Sequence, residues 1–202
     1  MSETLTAGRF REAIVRFDSV NGEDQNMETA EGISQPKELL YAKRMTETLN
    51  RFAPNASEVV RLAARCQHIR RWTIPRESYP VGRDGYRKWR TDLAQFHAET
   101  ASKILNSVGY DAETIGRVRS LLRKERLKAD REVQLIEDVA CLVFLSYYLP
   151  TFVTQHQTSK VVDVLRKTWR KMSEDGHSAA LKLDFGNELG KLVAEAISPG
   201  DG

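Results

Sequence analysis

The chain has 202 residues, of which 41% are hydrophobic and 29% are charged, and its formal net charge is +3. This length predicts a single domain over residues 1–202 that buries a sizeable core. The small net charge argues against a protein that coats nucleic acid, because such proteins are usually basic overall. The longest apolar run, residues 139–145, is too short to span a membrane.

The first ten residues lack the basic and apolar regions of a signal peptide. Cys66 and Cys141 lie in apolar helical patterns and form no Cys-x-x-Cys pair, so we expect both to be reduced thiols in the core. These features predict a cytoplasmic protein without a membrane partner.

Apolar residues recur at helical spacing along most of the chain. A first helix is predicted over residues 8–20. Residues 21–35 contain almost no large apolar side chain and are predicted to form a flexible loop. Pro36 suits the start of a second helix that ends near residue 52. Asn55 and Glu58 are predicted to cap a third helix, which carries residues 59–69.

Five further helices and a tail complete the predicted order. Asp84 is predicted to cap a long fourth helix that ends at Gly109. Asp111 begins a fifth helix that reaches about residue 127, and Asp130 begins a sixth that ends near residue 149, before Pro150. A seventh helix covers residues 159–172. After a break at 174–176, a last helix carries residues 185–193, and 198–202 form a tail. No segment alternates with period two for long enough to predict a strand, so the expected fold is all-α, a single helical bundle.

Residues 65–90 form a basic loop and its flanking helix ends. From residue 59 to residue 90 there are nine basic and two acidic residues, a net charge of +7, and two of the three tryptophans. Guanidinium groups bind phosphate or carboxylate through two parallel hydrogen bonds and stack on aromatic rings. The segment therefore indicates either a site for a small anionic ligand or a surface loop held by salt bridges. The residues predicted to hold the anion are Arg71, Trp72, Arg76, Arg83 and Arg90.

Several polar side chains fall on the inward faces of the predicted helices. His97 lies in the middle of the apolar stripe of the fourth helix, and Glu38 and Glu125 lie on the stripes of the second and fifth. Glu137 and Asp138 precede the most apolar part of the sixth. An uncompensated buried carboxylate costs several kcal/mol, so these groups must pair with Arg, accept hydrogen bonds or bind a metal. A buried ion-pair network and a metal or catalytic site both stay open.

Gln67-His68, then His97, then Glu137-Asp138 on separate helices resemble the HD-domain arrangement. In that family His and Asp ligands on an all-α bundle hold one or two divalent metals. LHDIGR is typical where this chain has CQHIRR, DAD is typical where it has EDVA, and the first-helix His falls near Tyr41.

The resemblance implies an HD-domain-like bundle that uses a divalent metal (Mn, Fe, Mg or Zn) to hydrolyse a small, phosphorylated or otherwise anionic metabolite. His97 and Asp138 are the expected metal ligands, with His68, Glu38 and Glu125 as further candidates. Glu137 and His68 are the expected catalytic residues. A two-iron oxygenase is a variant of this hypothesis. The altered His-Asp doublet favours an alternative, a non-catalytic module of the same fold that binds a nucleotide, RNA or a protein partner.

A closer resemblance covers nearly the whole length. ELLYAKRM, LAARCQHIRRWTIPRESYPVGRDGYRKWR and LIEDVACLVFL begin at residues 38, 62 and 135. Together they are similar to the family named domain of unknown function 4202. This family implies a relationship across the chain but no activity.

Overall fold

Helices account for most of residues 3–197, the range that the computed structural model of the chain describes. The helices are α1 Glu3–Asn21, α2 Lys37–Phe52, α3 Glu58–Cys66, α4 Arg83–Ser107, α5 Ala112–Leu122, α6 Arg131–Val143, α7 Leu149–Gln155, α8 Thr158–Lys171, α9 Glu174–Ala180 and α10 Gly186–Ile197. The one sheet within this range pairs β1, Met27–Ala30, with β2, Ile33–Pro36. The prediction of a mainly helical protein is confirmed. The predicted tail at 198–202 lies outside the described residues.

The chain divides into two compact units, residues 1–133 and residues 134–202. In unit 1, α2 packs on α3, α4 packs on α5, and α1 contacts α3 and α4. In unit 2, α8 packs on α10. The cores consist of fully or almost fully buried apolar side chains: in unit 1 Phe17, Met45, Leu62, Ile69, Leu105 and Leu121, and in unit 2 Ile136, Leu149, Val161 and Leu165.

Part of the predicted loop at 21–35 is a β-hairpin. β1 and β2 are antiparallel, and Glu31 and Gly32 turn the chain with φ of 52° and 77°. Two left-handed residues match the twist of a hairpin, and glycine adopts this conformation without steric cost. The loop prediction is wrong for residues 27–30 and 33–35, which form strands, because META and ISQP carry no alternation of apolar and polar residues.

The capping residues are partly as predicted. Asp111 accepts a hydrogen bond from Thr114 N at the start of α5, and Gly109 follows α4 with φ of 84°. Asp130 accepts from the backbone N–H groups of residues 132 and 133 at the start of α6. The predicted cap of α3 is wrong, because the side chain of Ser57 accepts the hydrogen bond from Val60 N.

Two helix ends differ from the prediction. α5 stops at Leu122, five residues early, because Lys124, Arg126 and Lys128 adopt left-handed φ of 54°, 59° and 76°. The break predicted at 174–176 is instead the start of α9, where the Ser173 side chain accepts from Gly176 N. A serine cap compensates one of the unpaired N–H groups of a helix start.

The sixth helix does not end before Pro150. A π-helical turn, Phe144–Tyr148, joins α6 to α7, and Leu149 N bonds to Phe144 O. Pro150 lies in the first turn of α7, where its missing N–H is tolerated. Residues 131–155 therefore form one continuous helix.

This continuous helix is the one in the described range that is long and apolar enough to cross a membrane. Its 25 residues include an 18-residue window with a mean hydropathy of 1.4, and half of that window is buried. The seven-residue run noted in the sequence is only part of it. Core helices meet the same criterion, so this is weak evidence for a membrane.

Candidate functional site

Four polar residues from three parts of unit 1 meet, and we call them the Glu38 cluster: Glu38, His68, Arg71 and His97. Glu38 lies in the first turn of α2, His68 and Arg71 follow α3, and His97 lies in the middle of α4. His68 Nδ1 is 3.5 Å from Glu38 Oε2, and Arg71 Nε is 3.9 Å from Glu38 Oε1. The His68 and His97 ring centroids are 5.9 Å apart.

A tight turn after α3 brings His68 and Arg71 to the same side. Arg70 has a left-handed φ of 54°, and its N–H donates to Asn21 Oδ1. The N–H of Arg71 donates to the carbonyl of His68. A left-handed non-glycine residue is strained, so the buried Asn21 contact helps to hold the turn.

His97 is buried, as predicted, with 4% of its surface exposed. Its Nδ1 is 2.7 Å from the carbonyl of Ile69. A carbonyl only accepts, so Nδ1 carries the proton and the lone pair is on Nε2. Nε2 is buried and has no hydrogen-bond partner in the described part of the chain. Burial lowers the pKa of His97 to about 3, so the ring is neutral at physiological pH. The partner of Nδ1 is thus a backbone carbonyl and not a carboxylate.

His68 is clamped between an aromatic ring and a guanidinium. Its ring stacks on Tyr41, with centroids 4.0 Å apart and an interplanar angle of 11°. Its Nε2 is 3.4 Å from Arg71 Nη1, and because Arg only donates, Nε2 is the accepting nitrogen. Burial and then the charge of Arg71 lower the pKa of His68 well below its usual value. Like His97, it is a neutral imidazole.

Glu38 is the group of the cluster that titrates near neutrality. Its side chain is 8% exposed, and Oε2 has no hydrogen-bond partner among the described residues. Burial raises the pKa of Glu38 to about 7, although the positive charge of Arg71 opposes the shift. A buried carboxyl with a pKa near the working pH can give or take a proton, which is a property of catalytic acids and bases.

Arg71 supplies the positive charge of the cluster. Its guanidinium carbon lies 4.9 Å from the centroid of the Trp89 ring, a cation–π arrangement. Its carboxylate contact, to Glu38, is too long for a hydrogen bond at 3.9 Å. The guanidinium is therefore positioned by flanking groups but not neutralised by a close, two-pronged ion pair.

The other residues predicted to hold an anion lie in different surroundings. Arg76 donates to the carbonyls of Tyr79 and Pro80, at 2.9 Å and 3.0 Å, so its guanidinium braces its own loop. Arg83 is exposed at the start of α4, and Trp72 and Arg90 are partly exposed. Burial is the main cause that lowers the pKa of His97, and the charges of Arg71 and Arg90 lower it further. Arg90 therefore lies close enough to act electrostatically on the cluster.

Asp138 belongs to unit 2 and is bonded to other groups of that unit. Its Oδ1 accepts from Gln134 Nε2 at 2.9 Å and from Ser173 N at 2.8 Å, and its Oδ2 accepts from Ser173 Oγ at 2.5 Å. A Cβ on Gly176 would come within 2.8 Å of Oδ1. The carboxylate therefore holds the start of α9 against α6, which accounts for its burial.

The other two acids of the predicted site are Glu137, an expected catalytic residue, and Glu125, a candidate metal ligand. Glu137 is buried in unit 2, with Oε1 3.6 Å from Lys171 Nζ. Glu125 lies beyond the end of α5, is 44% exposed and pairs with Arg123 at 3.2 Å. The prediction that Glu125 faces inward is wrong, because the helix that would have carried it ends at Leu122.

Metal binding by the predicted ligands does not fit this arrangement. Within residues 3–197, no three His, Cys, Asp or Glu side chains are grouped so that they could hold a metal ion. Asp138 already accepts three hydrogen bonds, which leaves about one lone pair of its carboxylate for an ion.

Sequence reasoning missed the supporting shell of the Glu38 cluster. Tyr41 stacks on His68 and donates its hydroxyl to Gln67 Oε1 at 2.6 Å. Trp89 lies under Arg71 and donates Nε1–H to Ile74 O at 2.9 Å. A signal was present for Tyr41, since it stands three residues after Glu38 and so shares its helix face.

The family model described as Domain of unknown function (DUF4202) matches residues 11–193. The chain belongs to this family. All four residues of the Glu38 cluster lie within residues 11–193, the part of the chain that matches the family model. No curated protein and no solved structure matches the chain.

Proposed function

We propose that this DUF4202 protein binds a small anionic metabolite, of the phosphate-bearing class, at the Glu38 cluster. The observation that carries the proposal is that two buried acceptor atoms near the Arg71 charge, Glu38 Oε2 and His97 Nε2, have no hydrogen-bond partner among the described residues. Unsatisfied buried polar atoms are costly, so such groups are usually explained by a ligand, water or ion. Arg71 would supply the charge-assisted hydrogen bonds to the anion.

The chemistry of the neighbours suits a hydroxyl-bearing ligand. The lone pair of His97 Nε2 would accept a hydrogen bond from a hydroxyl group of the ligand or from an attacking water. Glu38, with its pKa near 7, would take up or return the proton. This supports hydrolysis of the bound anion in an HD-domain-like bundle, the activity expected from that resemblance. If the ligand is returned unchanged, the non-catalytic module is the better description.

The test is a ligand titration of two matched arginine variants. Inorganic phosphate and phosphorylated metabolites are expected to raise the melting temperature of the wild type, and Arg71→Ala should abolish the increase. Loss of a charge-assisted pair corresponds to a roughly tenfold or greater loss of affinity. Arg87→Ala, an exposed arginine on α4, is the matched control and should respond like the wild type.

Two outcomes would contradict the proposal. If Arg71→Ala responds like the wild type, the cluster is not the ligand site. If the double variant Arg76→Ala/Arg83→Ala alone abolishes the increase, the ligand binds to the basic loop, as its composition predicts. A colorimetric assay for inorganic phosphate distinguishes hydrolysis from binding alone, because only hydrolysis releases phosphate from the metabolite.

A metal-dependent hydrolase is the second candidate, and one observation favours it. His97 donates Nδ1–H to a backbone carbonyl and presents Nε2, which is the usual orientation of a metal-bound imidazole. We expect any metal to be lost from His97→Ala, but kept by His156→Ala and His177→Ala. Elemental analysis of untagged protein measures this. Stoichiometric metal in His97→Ala would exclude His97 as a ligand.

A further inference from the structure

An aromatic surface on α4 continues from the Arg71 guanidinium to the solvent. Trp89 is 7% exposed, and its ring lies under Arg71. The Tyr86 ring is 5.8 Å from the Trp89 ring, tilted by 50°, and the residue is 49% exposed. Among the large hydrophobic side chains that the described part of the chain leaves exposed, Tyr86 is the one aromatic ring.

Tyr86 is exposed but its backbone is firmly placed. A Cβ on the preceding residue, Gly85, would lie 1.9 Å from the carbonyl oxygen of Pro80, so the loop packs directly on the first turn of α4. Arg76 donates to that same carbonyl and to the carbonyl of Tyr79. An exposed ring on a fixed backbone loses little entropy when a ligand stacks on it.

Helical spacing places this ring beside the positive charges of the site. Tyr86, Trp89 and Arg90 stand three and four residues apart, so they share one face of α4. Burial and the charge of Arg90 lower the pKa of Arg71, so the two guanidinium groups lie in one electrostatic environment. The face therefore offers a planar ring at one end and cationic groups at the other.

We propose that the anion bound at the Glu38 cluster carries a planar aromatic ring, as in a nucleoside phosphate, and that Tyr86 stacks on this ring. The proposal rests on the anion site proposed above and adds the class of its ligand. Stacking between a base and an aromatic side chain tolerates many ring types, because every base has a π-face. Tyr86 would thus select for a ring without reading its identity.

The test compares two ligands that differ only in the ring. A nucleoside 5′-monophosphate is expected to bind the wild type at least about fivefold more tightly than ribose 5-phosphate in calorimetric titrations. Tyr86→Ala should lose this preference and keep the wild-type affinity for ribose 5-phosphate. Tyr86→Phe should retain the preference because it keeps the ring, and Val81→Ala, an exposed position in the adjoining loop, is the control.

A second pair of ligands separates nucleobases from planar rings in general. Phenyl phosphate binding more tightly than inorganic phosphate would assign the surface to any planar ring, whereas equal affinities with a retained nucleotide preference would assign it to nucleobases.

The inference is overturned if ribose 5-phosphate and the nucleotide bind equally, or if Tyr86→Ala keeps the preference. In either case, if the wild type binds the ligand and Arg71→Ala does not, the proposed anion site is still supported. If neither ligand binds the wild type, the anion site and the stacking surface are both refuted.

Discussion

Glu38 and its histidine neighbours respond to pH in opposite directions. Burial raises the pKa of Glu38 from 4.5 to about 7, so the folded protein holds a proton that the unfolded chain releases between these values. Burial lowers the pKa of His97 to about 3, so the folded protein excludes a proton that the unfolded chain binds below about 6.5. Glu38 therefore stabilises the fold less as the pH rises, and His97 stabilises it less as the pH falls.

The first effect is measurable in Glu38→Gln. Glutamine keeps the shape of the side chain but does not ionise. Ionisation of Glu38 lowers the stability of the wild type as the pH rises from 4.5 to 7, and the variant does not show this decrease. We expect the free energy of unfolding of the variant, relative to the wild type, to increase from pH 5 to pH 8 by at most roughly 3 kcal/mol. Urea titrations at several pH values measure it. Glu47→Gln, on the exposed face of α2, is the matched control, and a difference that stays constant would refute the raised pKa.

The sequence could predict the direction of these side chains but not their partners. The helical wheel placed Glu38 and His97 on inward faces, and both are buried. It could not show that the partner of His97 is the carbonyl of Ile69, because that contact joins residues 28 positions apart. The stacking of Tyr41 on His68 was hidden for the same reason.

At the scale of elements, the close approach of the basic loop to α4 depends on Gly85. A Cβ there would overlap the backbone oxygen of Pro80, which is not the end of a flexible side chain. We expect Gly85→Ala to lower the free energy of unfolding by about 1–3 kcal/mol, as overpacking does. Chemical denaturation measures this.

The matched control is Gly116→Ala in the middle of α5. A Cβ on Gly116 meets nothing within 4 Å, and alanine is a better helix former, so this variant should gain about 0.5–1 kcal/mol. Equal effects of the two substitutions would show that the loop does not press on α4 in solution.

Helix boundaries were predictable where a local signal decides them. Asp111, Gly109 and Asp130 act at α-helix ends within a few residues, and their positions followed from the sequence. The prediction misses the π-helical turn at Phe144–Tyr148 because it ends the helix before Pro150, whereas this proline lies in the first turn of α7. A π-helical turn contains more residues than an α-helical turn, so the side chains of α7 point in directions rotated from those of α6. A helical wheel drawn through both helices therefore assigns some residues to the wrong face.

For the molecule as a whole, the predicted site residues fall in both units. Glu38, His68, Arg71 and His97 meet in unit 1, whereas Glu137 and Asp138 belong to unit 2 and bond to groups there. The order of the motifs along the chain suggested one constellation. Sequence order does not fix contacts between distant segments, which is why the Glu38 cluster emerged only from the structure.

The left-handed turn that follows α5 is an expected site for limited proteolysis. Residues 123–129 expose several lysine and arginine side chains just ahead of α6, and three of them are in strained backbone conformations. Proteases that cut after basic residues prefer such exposed turns over helices. A single cut there would leave every residue of the Glu38 cluster, and the aromatic surface of α4, on one amino-terminal fragment.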